Sequence, residues 1–235
     1  TNATTAGSIP VTLSGTFQKP GDIDFFRLPS IAVTRLLAIG RSRSLGSEAD
    51  LRLRLFDASG RLAQESNVSG PDDGQLSAQV TAGEDYLLAV DELSGGSGPA
   101  FRYEVHLMEG LPITATLASN TVTASPGSVV ELTVQVQAPQ APATLRPVLE
   151  SSSWRIEPAE IALPSQEVTV KIFVPSSLAA GEVHWLRPTF VASWEGHSQR
   201  VPLSTLPALR KHWPDLVRPP MVLDGLVEVI TLPRR

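Results

Sequence analysis

The chain has 235 residues, no cysteine, 20 prolines and a formal net charge of −5. The prolines argue against a helical bundle, because proline removes a backbone donor and clashes with the preceding helical turn. The acidic charge excludes a general nucleic-acid surface, and the missing cysteine excludes disulfides, thiol catalysis and zinc–thiolate sites. No apolar run approaches the roughly 20 residues that span a bilayer.

Glycine and proline divide the chain into two differently built segments. Residues 1–110 hold 13 of the 17 glycines and 5 prolines, whereas residues 111–235 hold 4 glycines and 15 prolines. This change predicts two domains joined near residues 109–112. The predicted division has four parts: a linker (1–8), a first β-sandwich (9–110), a second β-sandwich (111–205) and a tail (206–235).

Alternation of apolar and polar residues dominates the first segment. Leu51, Leu53 and Leu55 alternate with two arginines, which is typical of a half-buried strand. Asp57–Gly60 then predicts a three-residue hairpin loop with a left-handed glycine and a bulge. Comparable strand patterns occupy 9–13, 24–28, 36–39, 61–65, 76–80, 86–90 and 101–107. About eight short strands with turns at this spacing predict an antiparallel sandwich.

The second segment shows the same kind of pattern. Residues 130–137 and 168–174 alternate strictly, which predicts two half-buried strands. Residues 183–193 form a longer apolar stretch that Pro188 interrupts, so we expect an edge or a bulge there. An immunoglobulin-like sandwich follows as an architecture, without the Cys…Trp…Cys signature of antibody domains.

The tail differs from both segments. Residues 206–218 predict one helix, which the neighbouring prolines keep short. Residues 221–232 predict a strand with Val227, Val229 and Thr231 on one face. This strand either completes the second sandwich or begins a further module. The predicted fold class is therefore all-β, with two tandem antiparallel β-sandwiches, the first jelly-roll-like and the second immunoglobulin-like.

The chain carries no motif that marks an enzyme. The GxSxG, P-loop, GxGxxG and HExxH patterns do not occur. His184 and His197 could meet across a hairpin, but two surface histidines are the favoured interpretation. Nothing singles out one serine for a Ser-His-Asp triad, whose members need not be adjacent in sequence. We therefore expect a chain that is not itself catalytic.

Acidic residues at predicted loops and strand ends are candidates for a calcium site. Calcium takes six to eight oxygens from carboxylates and backbone carbonyls. The candidates are Asp22, Asp24, Asp72, Asp73 and Asp91, the last followed by Glu92. The favoured alternative is that they are turn residues, because aspartate side chains bond their own backbone. Asp24 also precedes Phe25-Phe26, so one of these rings is expected in the core.

The four tryptophans all follow residue 150: Trp154, Trp185, Trp194 and Trp213. An exposed tryptophan can stack on a sugar ring, whereas a sandwich normally buries its tryptophan. An adhesion surface is therefore expected only where a tryptophan is exposed, with Trp185, Trp194 and Trp213 as candidates.

Three motifs resemble the bacterial pre-peptidase C-terminal (PPC) domain. They occupy residues 15–28 (beginning Gly15-Thr16-Phe17), 51–62 and 83–103, in the family's order. The resemblance implies a jelly-roll-like sandwich that is not catalytic and accompanies secreted proteases or other exported proteins, some of which bind collagen or calcium. From residue 113 the chain resembles the immunoglobulin-like module that often follows such domains in bacterial surface proteins.

Together these features predict a non-catalytic accessory, binding or spacer segment of a larger exported bacterial protein. The linker-like start at residues 1–5 favours a piece of a longer chain. The alternatives are a module that adheres to a glycan or a protein, and a part of a secreted hydrolase. The expected partners are other domains of the parent chain and an extracellular protein or glycan, outside the cytoplasm, with calcium as the candidate cofactor.

Overall fold

Short strands follow one another along the chain because its apolar residues recur with a period of two. The computed structural model describes residues 3–66, 74–139, 142–151, 153–216 and 219–233. These residues form twenty strands and one α-helix, α1 (Leu206–His212), so the all-β prediction is confirmed. The chain divides into two units, Thr1–Pro112 and Ile113–Arg235.

Nine described strands build the first unit. They are β1 (Thr4–Thr5), β2 (Val11–Thr16), β3 (Ile23–Leu28), β4 (Arg35–Arg41), β5 (Leu51–Asp57), β6 (Leu62–Glu65), β7 (Gln75–Gln79), β8 (Tyr86–Glu92) and β9 (Arg102–Glu109). One sheet has the order β1-β3-β8-β5-β6 and the other the order β2-β9-β4-β7. Apolar side chains from both sheets form one core, which is the arrangement of a β-sandwich.

Strand β5 shows how the pattern becomes a core. Its three leucines are almost fully buried, while Arg52 and Arg54 lie on the other face. The hairpin after it is as predicted, because Gly60 has a φ of 82°, its amide donates to the Asp57 carbonyl, and the Asp57 amide donates to the Arg61 carbonyl. Bonds from the hydroxyl of Ser59, together with the amides of Ser59 and Arg61, lower the pKa of Asp57 to about 2.

A close approach between β2 and β9 involves the first and third of the PPC-like motifs. The buried hydroxyl of Tyr103 donates to Oδ2 of Asp24 at 2.5 Å, and the Tyr103 ring packs 4.9 Å from that of Phe17. Burial and the Asp24 carboxylate raise the pKa of Tyr103. Gly15 lies directly over this pair, since a Cβ there would be 2.5 Å from the tyrosine oxygen. Glycine is therefore required at position 15.

Replacing Gly15 by alanine should destabilise the first unit by about 1–3 kcal/mol, the usual cost of overpacking a core. The new methyl group would also meet Oδ2 of Asp24 at 2.8 Å, so neither side of the hydrogen bond leaves it space. Chemical denaturation of the full chain measures the loss. Gly7→Ala is the control, because a Cβ there has an ordinary 3.9 Å contact with Val11. Equal stability of the two variants would contradict the prediction.

Eleven described strands build the second unit. They are β10 (Thr114–Leu117), β11 (Thr121–Ala124), β12 (Val129–Gln137), β13 (Ala143–Val148), β14 (Arg155–Glu157), β15 (Ile161–Leu163), β16 (Glu167–Phe173), β17 (Val183–Leu186), β18 (Thr189–Trp194), β19 (His197–Ser204) and β20 (Val227–Thr231). Eight of them form a sheet in the order β14-β16-β12-β10-β19-β18-β13-β15. The other three form a sheet in the order β11-β20-β17.

The stretch 183–193 is divided at Arg187-Pro188, where the interruption was predicted. Its first part, β17, is an edge strand beside β20, and its second part, β18, lies between β13 and β19. Proline cannot donate to a ladder, so the chain changes partner at this point. Residues 205–226 connect β19 to β20, and we call this segment the insertion. The two strands that it connects pair with the two parts of the stretch 183–193, β19 with β18 and β20 with β17.

The tail strand is shorter than the sequence pattern predicts. Residues Met221–Leu223 form one 3₁₀ turn, and β20 begins only at Val227. Gly225 has a φ of 77°, a left-handed conformation that interrupts the extended chain. Beyond it Val227, Val229 and Thr231 are fully buried, as their alternation predicted. In the described part of the chain, no helix has the length and apolar character to cross a bilayer.

Candidate functional site

The three-stranded sheet of the second unit carries a row of polar and aromatic side chains. Thr121 on β11 is opposite Glu228 on β20, which in turn is opposite Trp185 on β17. The Thr121 hydroxyl donates to Oε2 of Glu228 at 3.0 Å. Because Val227 and Val229 point into the core, Glu228 and its two neighbours lie on the outer face. This face is the floor of a pocket of about 260 Å³.

Two exposed tryptophans line this pocket, which we name the tryptophan pocket. Trp185 and Trp213 remain 55% and 43% exposed, whereas Trp154 and Trp194 are buried. Among the described residues no aromatic ring stacks on Trp185, and the ring packed against Trp213 is that of His212, with its centroid 6.3 Å away. The sequence expectation of an exposed tryptophan is met at two of its three candidate positions.

The insertion between β19 and β20 forms the wall of the pocket. Its helix α1 has a proline in the first turn, where the missing N–H costs nothing, and it ends with the Trp213 amide bonded to the Leu209 carbonyl. Leu209 and Leu223 contribute the apolar part of the lining. The helix is short because Pro214 follows it, and Trp213 is thereby placed at the pocket.

A carboxylate fastens the two ends of the insertion together. Oδ1 of Asp224 accepts bonds from the Thr205 amide at 2.6 Å and the Ser204 hydroxyl at 3.0 Å, and the Gly225 amide donates to Oγ1 of Thr205 at 2.9 Å. The Arg187 guanidinium donates to the carbonyls of Asp224 and Val222. The wall of the tryptophan pocket is therefore held by a connected hydrogen-bond network rather than by helix propensity.

Asn120 is the buried polar residue of the pocket. It is 7% exposed, its Nδ2 donates to the Leu226 carbonyl at 3.4 Å, and its Oδ1 has no hydrogen-bond partner among the described residues. Buried polar atoms are normally satisfied, so this unpaired oxygen is an exception, and it is buried too deeply for a ligand in the pocket to reach it. The sequence analysis did not single out Asn120 or Glu228. The one signal for Glu228 was its place between Val227 and Val229, which puts it on the outer face of β20.

Asp91, one of the calcium candidates, lies between two arginines. It is 3% exposed; its Oδ2 lies 2.5 Å from Arg52 and 2.8 Å from Arg54, and Oδ1 accepts a further bond from Arg54 at 3.0 Å. Arginine and aspartate form such close charge-assisted pairs readily. Both oxygens are therefore engaged within the first unit.

The other calcium candidates have separate roles or lie outside the described residues. Asp22 accepts the Gln18 amide, and Asp24 accepts the Tyr103 hydroxyl. Asp72 and Asp73 belong to residues 67–73, which are outside the described part. Over the ranges that the structure describes, no three acidic or histidine side chains are grouped as metal ligands. Calcium binding stays a prediction from the sequence.

Glu92 closes a loop with its carboxylate. It accepts bonds from the Ser94 hydroxyl, the Ser94 amide and the amides of Asp50 and Gly96. Burial raises the pKa of Glu92, but these bonds lower it by more, so the net pKa lies below the ordinary value of 4.5.

Acidification should therefore remove the stabilising effect of Glu92. The carboxyl group of the unfolded chain takes up its proton at a higher pH than that of the folded chain, so stability is lost as pH falls below about 4.5. Melting of the wild type and Glu92→Gln between pH 6 and pH 3 measures this loss. We expect the advantage of the wild type to shrink toward pH 3, and a constant difference would disprove the assignment.

The two candidate histidines, His184 and His197, do not form a metal-binding pair in the described structure. His184 on β17 lies beside Glu182, with the ring of Trp154 5.7 Å away, while His197 on β19 stacks on Trp194. Each histidine thus has its own local partner, as the surface interpretation of the sequence favours.

Comparison with known proteins finds similar solved structures but no matching family model or curated protein. A predicted secreted protein from Eubacterium rectale is 10% identical, with a TM-score of 0.28, covering 80% of this chain and 70% of that one. The D0-D1 domain of Intimin is 9% identical over 88% of this chain and 98% of that one, with a TM-score of 0.30. The D00-D0 domain of Intimin is 11% identical over 85% of this chain and 93% of that one, with a TM-score of 0.28. At these TM-scores the likeness carries no argument about what this chain does.

Proposed function

We propose that this chain is a non-catalytic binding segment of a larger exported bacterial protein, in which the second unit holds the ligand. The tryptophan pocket is the observation that carries this proposal. A spacer has no need of a concave site, whereas ligand sites are typically concave, largely apolar and supplied with a few polar groups. Two exposed tryptophans beside a carboxylate and an amide fit that description.

The first unit is proposed as a PPC-like accessory sandwich outside the cytoplasm. The contact of Gly15, Asp24 and Tyr103 supports this proposal, because it joins residues of the first and third motifs on which the resemblance rests. In this proposal the accessory unit accompanies other domains of the parent chain, while the pocket of the second unit meets an extracellular glycan or protein.

Nuclear magnetic resonance of the full chain tests the binding function. The probes are methyl glycosides, N-acetyl amino-acid amides and tetramethylammonium. The four indole N–H signals report the outcome, because Trp185 and Trp213 line the pocket while the buried Trp154 and Trp194 serve as internal controls.

We expect at least one probe class to shift the signal of Trp185 or Trp213 and to leave the two control signals in place. We also expect every probe to be recovered unchanged after prolonged incubation. If no class of probe shifts either pocket signal, or if a probe is consumed, the proposed function is wrong.

A further inference from the structure

The exposed rings of the tryptophan pocket favour a ligand with a flat apolar face. Trp185 and Trp213 together expose more aromatic surface at one place than isolated surface residues do, and such patches mark interaction sites. The face of an aromatic ring is electron-rich, so it attracts C–H groups that carry a small positive charge. One face of a sugar ring presents only such C–H groups.

Glu228 favours a ligand that donates hydrogen bonds to the pocket. Thr121 bonds Oε2 of Glu228, and in the described part of the chain no donor reaches Oε1 of this carboxylate. Oδ1 of Asn120 is also without a donor among the described residues, but this atom is fully buried and a ligand in the pocket does not reach it. An open acceptor beside an aromatic face suits a hydroxyl group, because an ionised carboxylate can only accept.

Other ligand classes satisfy the pocket less well. An apolar side chain would cover Glu228 without giving its Oε1 a partner, and burying an unpaired polar group is unfavourable. An anionic ligand would meet the like charge of Glu228. A quaternary ammonium group suits the rings and the charge of the carboxylate but donates no hydrogen bond to Oε1 of Glu228. The volume of about 260 Å³ is just below the range of drug-sized ligand sites, which favours one ring-sized group.

We infer that the tryptophan pocket binds one neutral sugar ring of an extracellular glycan. This inference rests on the proposed binding function of the second unit. The C–H face of the ring stacks on Trp185, Trp213 flanks it, and Glu228 accepts a bond from one of its hydroxyl groups.

A glycan array of neutral oligosaccharides, followed by calorimetry with the best-bound member, tests the inference on the full chain. Trp185→Ala should weaken binding about tenfold or more, as truncation of a central tryptophan does at binding sites. Trp185→Leu should weaken it comparably, because leucine keeps apolar area but has no aromatic face. Glu228→Gln should retain affinity within about threefold, because the amide oxygen still accepts a bond.

Val129→Ala is the matched control, since Val129 is an exposed apolar residue on β12 outside the pocket. Unchanged circular dichroism spectra and melting curves show that each variant is folded. Wild-type affinity of Trp185→Leu for the glycan would mean that the sugar ring does not stack on Trp185 and would overturn the inference. Binding of tetramethylammonium without any glycan, lost in Glu228→Gln, would overturn the inference but leave the binding function standing. If no probe class binds, both are wrong.

Discussion

Replacing Asp91 by alanine is expected to destabilise the first unit by about 3 kcal/mol, because Arg54 loses its carboxylate partner and Arg52 keeps only the more distant Glu65 among the described residues. The carboxylate is almost fully buried, whereas the Arg52 and Arg54 side chains keep 34% and 24% exposure. Water therefore still solvates part of the arginine charge, so the expected loss of stability lies at the lower end of the range of about 3–5 kcal/mol for breaking a buried pair. For a unit of this size, the melting temperature should fall by about 10 °C or more.

Glu65→Ala is the matched control for this prediction. Glu65 pairs with the same Arg52 at 3.7 Å but is itself exposed, and exposed pairs contribute about 1 kcal/mol or less. The melts are run with calcium and with a chelator. If the arginines are the partners of Asp91, its replacement has the same effect in both conditions. A loss seen only with calcium would identify Asp91 as a ligand instead.

Replacing Asp224 by alanine is expected to release the wall of the tryptophan pocket and to abolish ligand binding there. The Thr205 amide and the Ser204 hydroxyl would lose their acceptor, and Thr205 is fully buried. Bonds to a charged acceptor contribute about 1.5–3 kcal/mol each, so a total loss of about 3 kcal/mol is expected. Hydrogen exchange should rise first in residues 205–226, because the insertion loses its anchor while the sheets keep theirs.

The control for this variant is Asp215→Ala, at an exposed position of the same insertion. Its exchange rates and ligand binding should match those of the wild type. If Asp224→Ala keeps the wild-type exchange pattern, the carboxylate does not hold the insertion. If exchange rises throughout the second unit at once, the insertion and the sheets unfold as one cooperative body, and the assigned local role is wrong.

Local patterns along the chain were enough to predict the strands. The side-chain period of a strand is two, so Val227, Val229 and Thr231 could be assigned to one buried face without knowledge of their neighbours. The left-handed Gly60 and the break at Pro188 were predictable for the same reason, because each depends on the backbone freedom of one residue.

The partners of the acidic residues could not be predicted in this way. The sequence patterns made Asp24 and Asp91 equivalent candidates for calcium. The tertiary structure pairs Asp24 with Tyr103, 79 residues away, and Asp91 with two arginines of a neighbouring strand. These partners follow from strand order and register, which depend on long-range packing of the whole core.

By itself, the sequence determined the all-β character of the chain, the faces of its strands and the positions of its turns, because these follow from local periodicity and backbone freedom. Only the tertiary structure decided which tryptophans are exposed and what surrounds them. Thr121 and Glu228, 107 residues apart, become neighbours through the pairing of β11 and β20. The pocket exists because three strands that are distant in sequence and one insertion come together there, and local sequence patterns do not predict such long-range contacts.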